Sequence, residues 1–483
     1  MKSLLCSVAL LAAMIAPAMA APQSAPQAQM LVLRDPDGML AALNVNGPVQ
    51  TDGAFFQKLG TNGRSCATCH VAKEAFSFSA EGARERFNRT NGHDPLFASV
   101  DGANCANVAT GDRDGHSLIL RGGLIRVALP VPSPSEFTIS VVHDPYGCAL
   151  QLDPATNKLM VSVYRRPLPS ANLSFLSAVM FDGRETVSPL TDSSTFLANL
   201  TADLTHQAID ATNGHAQASH PPTDAQVADI VSFELGLFTA QWRDNSAGML
   251  NVAGAEGGAW QLSKELYYPG VNDSLGGDPS GATFDANAMT LFGAWSTQTA
   301  YARRAIAAGE ALFNSAPMQI SNVRGLNDNT AIGSPESFVG HCTSCHDTPN
   351  VGNHSLPLPL DIGTGHTTGT SMETDPAVTA GVAQLSMPDL PVYLISGCPS
   401  PFAAGEPVSF YTSDPGKALL TGKCADLNRV KGPILRGLSA RAPYFHNGAA
   451  ANLNQLVNFY NERFAMQLTD LQKSQLVAFL KSL

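Results

Sequence analysis

Apolar residues recur at helical spacing, every third or fourth position, in four segments of the chain. An acidic residue begins the first segment, and the last begins with Thr469 and Gln472, the two polar positions of a helix capping box. These patterns predict helices over residues 224–241, 300–314, 452–464 and 469–483. A shorter helix is expected over residues 51–60, behind Asp52.

Strand-forming residues are concentrated in one region. Between Leu118 and Val163, the β-branched runs VALPV, FTISVV and LMVSVY are broken by proline and predict strands or extended loops. Residues 205–218 are polar and predict a loop, and residues 21–49, rich in Ala, Pro and Gln, predict a weakly structured leader. Residues 245–287 lack periodicity. The expected fold class is therefore mainly α, with minor β structure and long loops.

Composition indicates a sizeable core and argues against two classes of partner. Of the 483 residues, 44% are hydrophobic and 14% are charged, which is typical of a folded chain. The formal net charge is -11, from 29 Lys and Arg against 40 Asp and Glu, and there is no basic run. Nucleic acid and anionic membrane surfaces are therefore excluded as partners.

The N-terminus has the pattern of a secretory signal peptide. Lys2 is followed by an apolar run from Leu4 to Ile15 and by the small residues Ala18 and Ala20 around a cleavage position. The run is too short for a spanning helix, and no other stretch approaches about 18 consecutive apolar residues. The pattern predicts a periplasmic protein from which residues 1–20 are removed.

Export changes the interpretation of the cysteines. Apart from Cys6 there are eight, and four of them stand in two Cys-x-x-Cys-His motifs, at 66–70 and 342–346. In a c-type haem motif, the two thiols bond the porphyrin vinyl groups and the adjacent His binds the iron. A redox pair needs no His after it, and zinc usually takes four N or S ligands. The sequence therefore predicts two covalent haem c groups, attached at Cys66, Cys69, Cys342 and Cys345.

The other four cysteines follow the two motifs in couples. Because paired thiols persist outside the cytoplasm, the simplest pairing is Cys105 with Cys148 and Cys398 with Cys424. Four cysteines allow three connectivities, and a free thiol acting as a ligand or nucleophile is the other interpretation.

A predicted helix precedes each haem motif, so the two halves of the chain look like diverged cytochrome units. This organisation predicts a first cytochrome c-like haem domain over residues 50–244 and a second over 288–483. Residues 245–287 are the expected connecting segment, because they are dense in Gly, Ala, Asn and Asp.

Four segments resemble the bacterial di-haem cytochrome c peroxidase family, which includes the methylamine-utilisation enzyme MauG. They are CATCH at 66–70, MFDGRE at 180–185, GEALFN to CTSCH over 309–346, and GPILRGLSARAPYFHNG at 432–448. The last segment is the most specific, because PYFHNG after a second haem motif is characteristic of the family. Together the segments cover most of residues 50–483, with insertions.

The resemblance implies one haem that transfers electrons and one that reacts, with His70 and His346 as proximal iron ligands. The implied enzyme reduces hydrogen peroxide to water with two electrons from a small donor protein, a cytochrome c or a cupredoxin. One alternative is a di-haem electron-transfer cytochrome without its own substrate. The other is an oxidase or oxygenase of an organic or protein substrate, as in MauG and the rubber-cleaving di-haem enzymes.

The family places the sixth ligand of the second haem fourteen residues after the His of PYFHNG, which is Tyr460 in this chain. A Tyr there resembles the MauG arrangement, and its phenolate would lower the reduction potential of the iron. The alternative is that Tyr460 is a helix core residue and that Met466 or Met387 binds the iron.

On the distal side of the first haem, the family has a Gln and a Glu. Gln207 matches the Gln, and His215 or Gln217 falls near the Glu. A neutral His215 could move a proton between the two peroxide oxygens, or it could bind the iron itself. A surface position is the alternative for this His, as it is for His206 and His220.

Two positions depart from the family. Phe181 replaces an oxidisable Trp before the Asp-Gly-Arg segment, so this side chain is not expected to relay electrons. Arg441 stands where the family has a Thr that helps to bind calcium, and a guanidinium group disfavours a cation. Calcium is therefore an implied cofactor that Arg441 argues against.

Overall fold

The computed structural model describes residues 30–365, 375–399 and 408–483. Helices account for 31% and strands for 17% of the residues, and the strands form several small antiparallel sheets. The expectation of a mainly α fold is therefore only partly right, since the β structure is more than a minor part. The predicted signal peptide lies outside the described residues. Within the described ranges, no helix is long and apolar enough to cross a membrane.

Apolar periodicity predicted three helices correctly, over Tyr301–Ser315, Leu453–Arg463 and Asp470–Lys481, and the start of a fourth, Asp224–Gly236. The Thr469 amide donates to the Gln472 side chain at 2.9 Å, which confirms the capping box. The helix expected over 51–60 shortens to one turn, Ala54–Phe56. The helices are α1 (Ala80–Thr90), α2 (Ser117–Gly122), α3 (Phe196–Gly214), α4 (Asp224–Gly236), α5 (Ala259–Leu262), α6 (Tyr301–Ser315), α7 (Pro376–Val382), α8 (Ala418–Thr421), α9 (Leu453–Arg463) and α10 (Asp470–Lys481).

The strands form four sheets in the described residues, with the orders β1-β2-β7-β8, β3-β6-β5, β12-β11-β4 and β10-β9. The three β-branched runs predicted as strands form β3, β4 and β6, as expected. The strands are β1 (Leu31–Asp35), β2 (Gly38–Asn44), β3 (Ile125–Pro130), β4 (Thr138–His143), β5 (Leu150–Leu152), β6 (Leu159–Arg165), β7 (Leu237–Asp244), β8 (Gly248–Met249), β9 (Met318–Ser321), β10 (Ser337–Gly340), β11 (Val392–Cys398) and β12 (Val408–Thr412).

Residues 31–44 form a hairpin, whereas their composition predicted a weakly structured leader. At its turn, the Asp37 amide donates to the Asp35 carboxylate at 2.9 Å. The sequence Asp-Pro-Asp-Gly between two apolar runs favours such a turn, a local signal that average composition conceals. Strand β2 is mostly buried and pairs with both β1 and β7, so this part of the leader belongs to the folded structure.

Two predicted elements end or begin in the wrong place. The helix expected to reach Gln241 ends at Gly236, because residues 237–244 pair with β2 as strand β7. Residues 205–214, expected to be a loop, are the second half of α3. Leu204 and its neighbours on α3 pack into the same buried cluster as α4, and this tertiary burial outweighs the polar composition of the segment.

Each half of the chain contributes a large buried cluster. The first is built on side chains such as Phe55 and Leu200, and the second on Trp295 and Phe479. Strand β4 of the first half pairs with β11 of the second, so a sheet joins the halves. Part of the expected connecting segment is buried in the second cluster, through Ala247, Leu250 and Ala255. The division into two haem domains stays a prediction.

Helices α6 and α10 approach closely at Gly309. A Cβ atom added to this glycine would lie 2.1 Å from the carbonyl oxygen of Gln475, which is closer than any side chain tolerates. Glycine is therefore required where the two helices cross. The contact fixes α10 beside Phe313 of α6, and both helices supply side chains to the second haem-motif cavity described below.

Both predicted disulfides are present. Cys105 is bonded to Cys148 and Cys398 to Cys424, with Cα atoms 6.0 Å and 5.5 Å apart. The four motif cysteines are free thiols. The spacing therefore predicted correctly which cysteines form disulfides and which do not.

The Cys105–Cys148 bond closes a long loop, since its cysteines are 43 positions apart. We expect a Cys105→Ser/Cys148→Ser variant to lose about 3–4 kcal/mol of unfolding free energy, because the open chain gains loop entropy in the unfolded state. Urea unfolding of this variant and the parent measures the loss. Equal stability of the two proteins would show that the bond does not constrain the unfolded chain.

Candidate functional site

The first haem motif forms one tight turn, Cys66–Thr68, and the amide of His70 donates to the Cys66 carbonyl at 3.0 Å. The His70 imidazole lies 3.0 Å, through Nδ1, from the carbonyl oxygen of Phe76. Burial lowers the pKa of His70 to about 4, so the ring is neutral and Nδ1–H is the donor. The Nε2 lone pair is left for a metal, the arrangement found in metal-binding histidines.

The second motif repeats this geometry. Its turn is Cys342–Ser344, and the His346 amide donates to the Cys342 carbonyl at 3.0 Å. Nδ1 of His346 is hydrogen-bonded to the carbonyl oxygen of Gly352, and burial lowers the pKa of this imidazole. In each motif, the backbone carbonyl of the residue six positions after the His holds the ring. Both motifs therefore present a neutral imidazole whose Nε2 has no hydrogen bond to the described residues.

The motif thiols do not fit the redox or zinc alternatives. Burial raises the pKa of Cys66 to about 12 and that of Cys69 to about 11, and the second pair is raised to about 12. A reactive redox cysteine needs a lowered pKa, and zinc needs further ligands. In the described ranges, the clusters with metal-ligand spacing contain no motif cysteine; they are Glu185, His206 and Asp210, and Asp273, Asp347 and His354.

Each motif opens into a cavity with mainly apolar walls. The space between atoms is about 1560 Å³ at the first motif and about 1410 Å³ at the second, including the part that is open to solvent. Free thiols, a neutral imidazole and an apolar cavity at each motif fit the predicted haem c groups.

His215 and Gln207 both line the first cavity. His215 ends α3, and its Nδ1 is hydrogen-bonded to the Asp101 carboxylate, which is also paired with Arg64. Burial alone would raise the pKa of Asp101, but the His215 hydrogen bond and the Arg64 charge hold it below its usual value. Asp101 thus stays ionised and fixes the His215 ring through Nδ1, and Nε2 has no hydrogen bond to the part of the chain that the structure describes.

The other residues near the predicted distal segment lie outside this cavity. His206 is exposed and its Nδ1 lies 2.7 Å from the Glu185 carboxylate. Gln217 accepts a hydrogen bond from Asn62 at 3.2 Å, and His220 is exposed. Of the residues considered for the distal side, the structure therefore brings Gln207 and His215 to the first motif.

Tyr460 and Met466 both line the second cavity, whereas Met387 does not. Burial raises the pKa of the Tyr460 phenol above its usual range, and the thiols of Cys345 and Cys342 add to this effect. The phenol lies among aromatic rings, with Phe464 stacked at 5.8 Å between centroids. Tyr460 is thus placed at the second motif, where a cation would be needed to stabilise its phenolate form.

Phe181 lies in the wall between the cavities and lines both of them. Its ring centroid is 6.1 Å from that of His446, and its carbonyl accepts a hydrogen bond from the Lys431 amide at 2.7 Å. The wall position expected for an electron relay is therefore occupied by a ring that is hard to oxidise.

Arg441 is also buried near this wall and donates to the carbonyls of Ile434 and Arg436, at 3.0 Å and 3.3 Å. Because the guanidinium already holds these oxygens, the expectation of calcium has no support at this position.

Sequence reasoning missed several residues of the first cavity. Arg64 stands two positions before the motif, but its partner Asp101 is distant in sequence and no pattern links them. Glu234 of α4 also lines the cavity; one of its carboxylate oxygens has no partner in the described chain, and burial raises its pKa to about 7. A Glu inside a strongly apolar helix segment was the available signal.

No family model matches the chain. A stretch of 151 residues is 32% identical to the cytochrome-c peroxidase IdrP2 of Denitromonas iodatirespirans, and it covers 30% of this chain and 36% of that protein. The chain thus matches about a third of the length of this curated relative. The similarity is distant and partial, and it relates one region of the chain to a cytochrome c peroxidase.

Proposed function

We propose that the chain is a periplasmic di-haem c-type oxidoreductase that reduces hydrogen peroxide with electrons from a small cytochrome c or cupredoxin. The observation that carries this proposal is the repeated geometry at two cavities, where a Cys-x-x-Cys-His turn presents two free thiols and a neutral imidazole with unbonded Nε2. The partial similarity to a cytochrome c peroxidase supports the same reaction class.

The four motif cysteines would hold the two haems, and His70 and His346 would bind the irons. The haem, when bound, supplies an iron that takes up peroxide and exchanges electrons. The backbone carbonyls of Phe76 and Gly352 hold the two imidazoles in one tautomer, so that Nε2 points away from the hydrogen bond. Two electrons and two protons convert one peroxide molecule into two water molecules.

His215 is the proposed proton carrier of the first site. Its Nε2 would accept a proton from one peroxide oxygen and donate it to the other, which would leave as water when two electrons from the donor protein break the O–O bond. The remaining oxygen would take two protons from solvent and leave as the second water molecule. Asp101, ionised and bonded to Nδ1, stabilises the transient imidazolium, and Arg64 holds Asp101 in place. The side chain of His215 is 39% exposed, so peroxide and protons reach it from solvent. Gln207 is the second polar group proposed to orient peroxide.

Turnover of hydrogen peroxide by the holoprotein with a reduced cytochrome c donor tests this function. We expect rapid oxidation of the donor when the reaction is started from at least one of two states of the protein, fully oxidised or half-reduced. No turnover from either state rejects the peroxidase reaction. Electron paramagnetic resonance of the ferric protein with and without cyanide counts the open irons, and two closed irons would identify an electron-transfer cytochrome.

A second candidate function is oxidation of an organic or protein substrate. Phe181 in the shared wall and Tyr460 at the second motif are the observations that favour it, since both depart from the usual peroxidase arrangement. An oxidase would accumulate an oxidised organic product and would consume peroxide slowly with a cytochrome donor.

Tyr460→Phe tests the proposed sixth ligand of the second haem. We expect a changed absorption and resonance spectrum and a raised potential of that haem, because an anionic phenolate stabilises ferric iron. Spectroelectrochemical titration measures both. Met466→Leu is the matched variant in the same cavity, and it should leave the spectrum intact. If Met466→Leu changes the spectrum and potential of the second haem and Tyr460→Phe changes neither, the sixth ligand is the thioether of Met466.

A further inference from the structure

Four cationic side chains are buried around the wall that separates the two cavities. They are Arg166, Lys431, Arg436 and Arg441, each less than a tenth exposed. Arg166 and Lys431 line both cavities, Arg436 lines only the first of the two, and Arg441 only the second. The set is therefore arranged around both haem motifs, with two members in common.

None of these cations has a carboxylate within 4.0 Å among the residues that the structure describes. The acids that act on Arg436, Glu265 and Glu310, do so from beyond that distance. The neighbouring buried Arg165 behaves differently, because its guanidinium pairs with Asp414 at 2.7 Å and with Asp182. Buried arginines without a carboxylate within 4.0 Å also occur elsewhere among the described residues, at Arg126 and Arg324, but neither of these lines a haem-motif cavity. The four cations are therefore distinguished by their position at the wall of the two cavities.

Backbone carbonyls hold the guanidinium groups without neutralising them. Arg166 donates to the carbonyls of Phe78 and Arg441, at 2.7 Å and 2.6 Å, and the Lys431 ammonium makes no hydrogen bond within the described structure. Burial lowers the pKa of Lys431 to about 8 and that of Arg166 to about 9. An unpaired buried ion is destabilising, and the wall carries positive charge that no ion pair within the described residues neutralises.

We propose that these four cations form a shared clamp for the propionate carboxylates of the two haems. The inference deepens the proposed function and rests on its two haem groups. Each haem carries two propionates, so two haems bring four anions to four cations. A guanidinium matches a carboxylate with two parallel hydrogen bonds, and an ammonium binds it as a point charge. Among the described residues, no carboxylate lies within 4.0 Å of any of the four.

A shared clamp couples the two sites electrostatically. A positive charge near an iron favours its reduced form, because reduction lowers the net charge of the centre. Arg166 and Lys431 line both cavities and therefore act on both potentials, whereas Arg436 and Arg441 act mainly on one each. Cations that merely stabilise the fold would not shift the two reduction potentials in this pattern.

Spectroelectrochemical titration of the holoprotein tests the clamp. Lys431→Gln should lower both midpoint potentials, Arg436→Gln mainly that of the first haem, and Arg441→Gln mainly that of the second. Lys431→Arg retains the charge and should keep both potentials near those of the parent. The control Lys73→Gln removes an exposed cation outside both cavities and should change neither.

Unchanged potentials in Lys431→Gln, or a shift of one potential alone, would overturn the shared clamp. If a variant does not mature, the parent holoprotein still decides: its resonance Raman propionate bands should indicate strongly hydrogen-bonded carboxylates at both haems, and solvent-like bands reject the clamp. Shifted potentials in a protein without peroxide turnover reject the peroxidase reaction and retain the clamp. Unshifted potentials in variants of a protein that turns over peroxide retain the peroxidase reaction and reject the clamp.

Discussion

Replacement of His215 by Ala is expected to lower kcat/KM for hydrogen peroxide by about 10²–10⁴-fold, the range typical of a lost general acid–base group. The ring is held at Nδ1 by Asp101, so its remaining nitrogen is the one available to peroxide. Asp101→Asn should give a smaller loss of about 10–100-fold, since the imidazole stays but loses its fixed orientation. Steady-state kinetics with a reduced cytochrome donor measure both effects.

His206→Ala is the matched control, because this His lies on the same helix but is exposed and bonded to Glu185 outside the cavity. It should retain the parental rate. A faster His215→Ala enzyme, with a new open iron in its resonance spectrum, would contradict proton transfer. That result would show that His215 binds the iron and closes the site.

The sequence predicted well the features that depend on neighbouring residues. The capping box of α10 and the helix α6 each follow from a pattern of fewer than twenty residues. The hairpin β1-β2 was missed although its turn signal is local, because the interpretation averaged over residues 21–49. The switch from α4 to β7 was missed for another reason: it depends on pairing with β2, nearly two hundred residues earlier.

The same distinction between local and distant residues applies to the candidate sites. His70 and His346 could be proposed as ligands from the sequence because each directly follows the second Cys of its motif. The residues that surround the ligands come from distant parts of the chain: Asp101 and His215 are 114 positions apart. The wall cations were missed since single Arg and Lys residues carry no pattern. Their meaning depends on burial without a carboxylate, which only the fold determines.

Substitution of both second-motif cysteines, Cys342→Ala with Cys345→Ala, is expected to leave one covalent haem and to reduce peroxide turnover with a protein donor to background. The two free thiols are the proposed attachment atoms, and the second site is the proposed route for electrons into the first. Mass spectrometry under denaturing conditions counts covalent haem, and donor oxidation measures turnover.

The disulfide variant Cys105→Ser/Cys148→Ser is the matched control, because it also removes two thiols but none at a haem motif. It should carry two haems and stay active at temperatures where it is folded. Two covalent haems in the Cys342→Ala/Cys345→Ala protein would contradict the attachment site. One haem with full turnover would instead show that electrons reach the first site directly, so that the second haem serves another purpose and the coupling through the shared wall is not part of peroxide reduction.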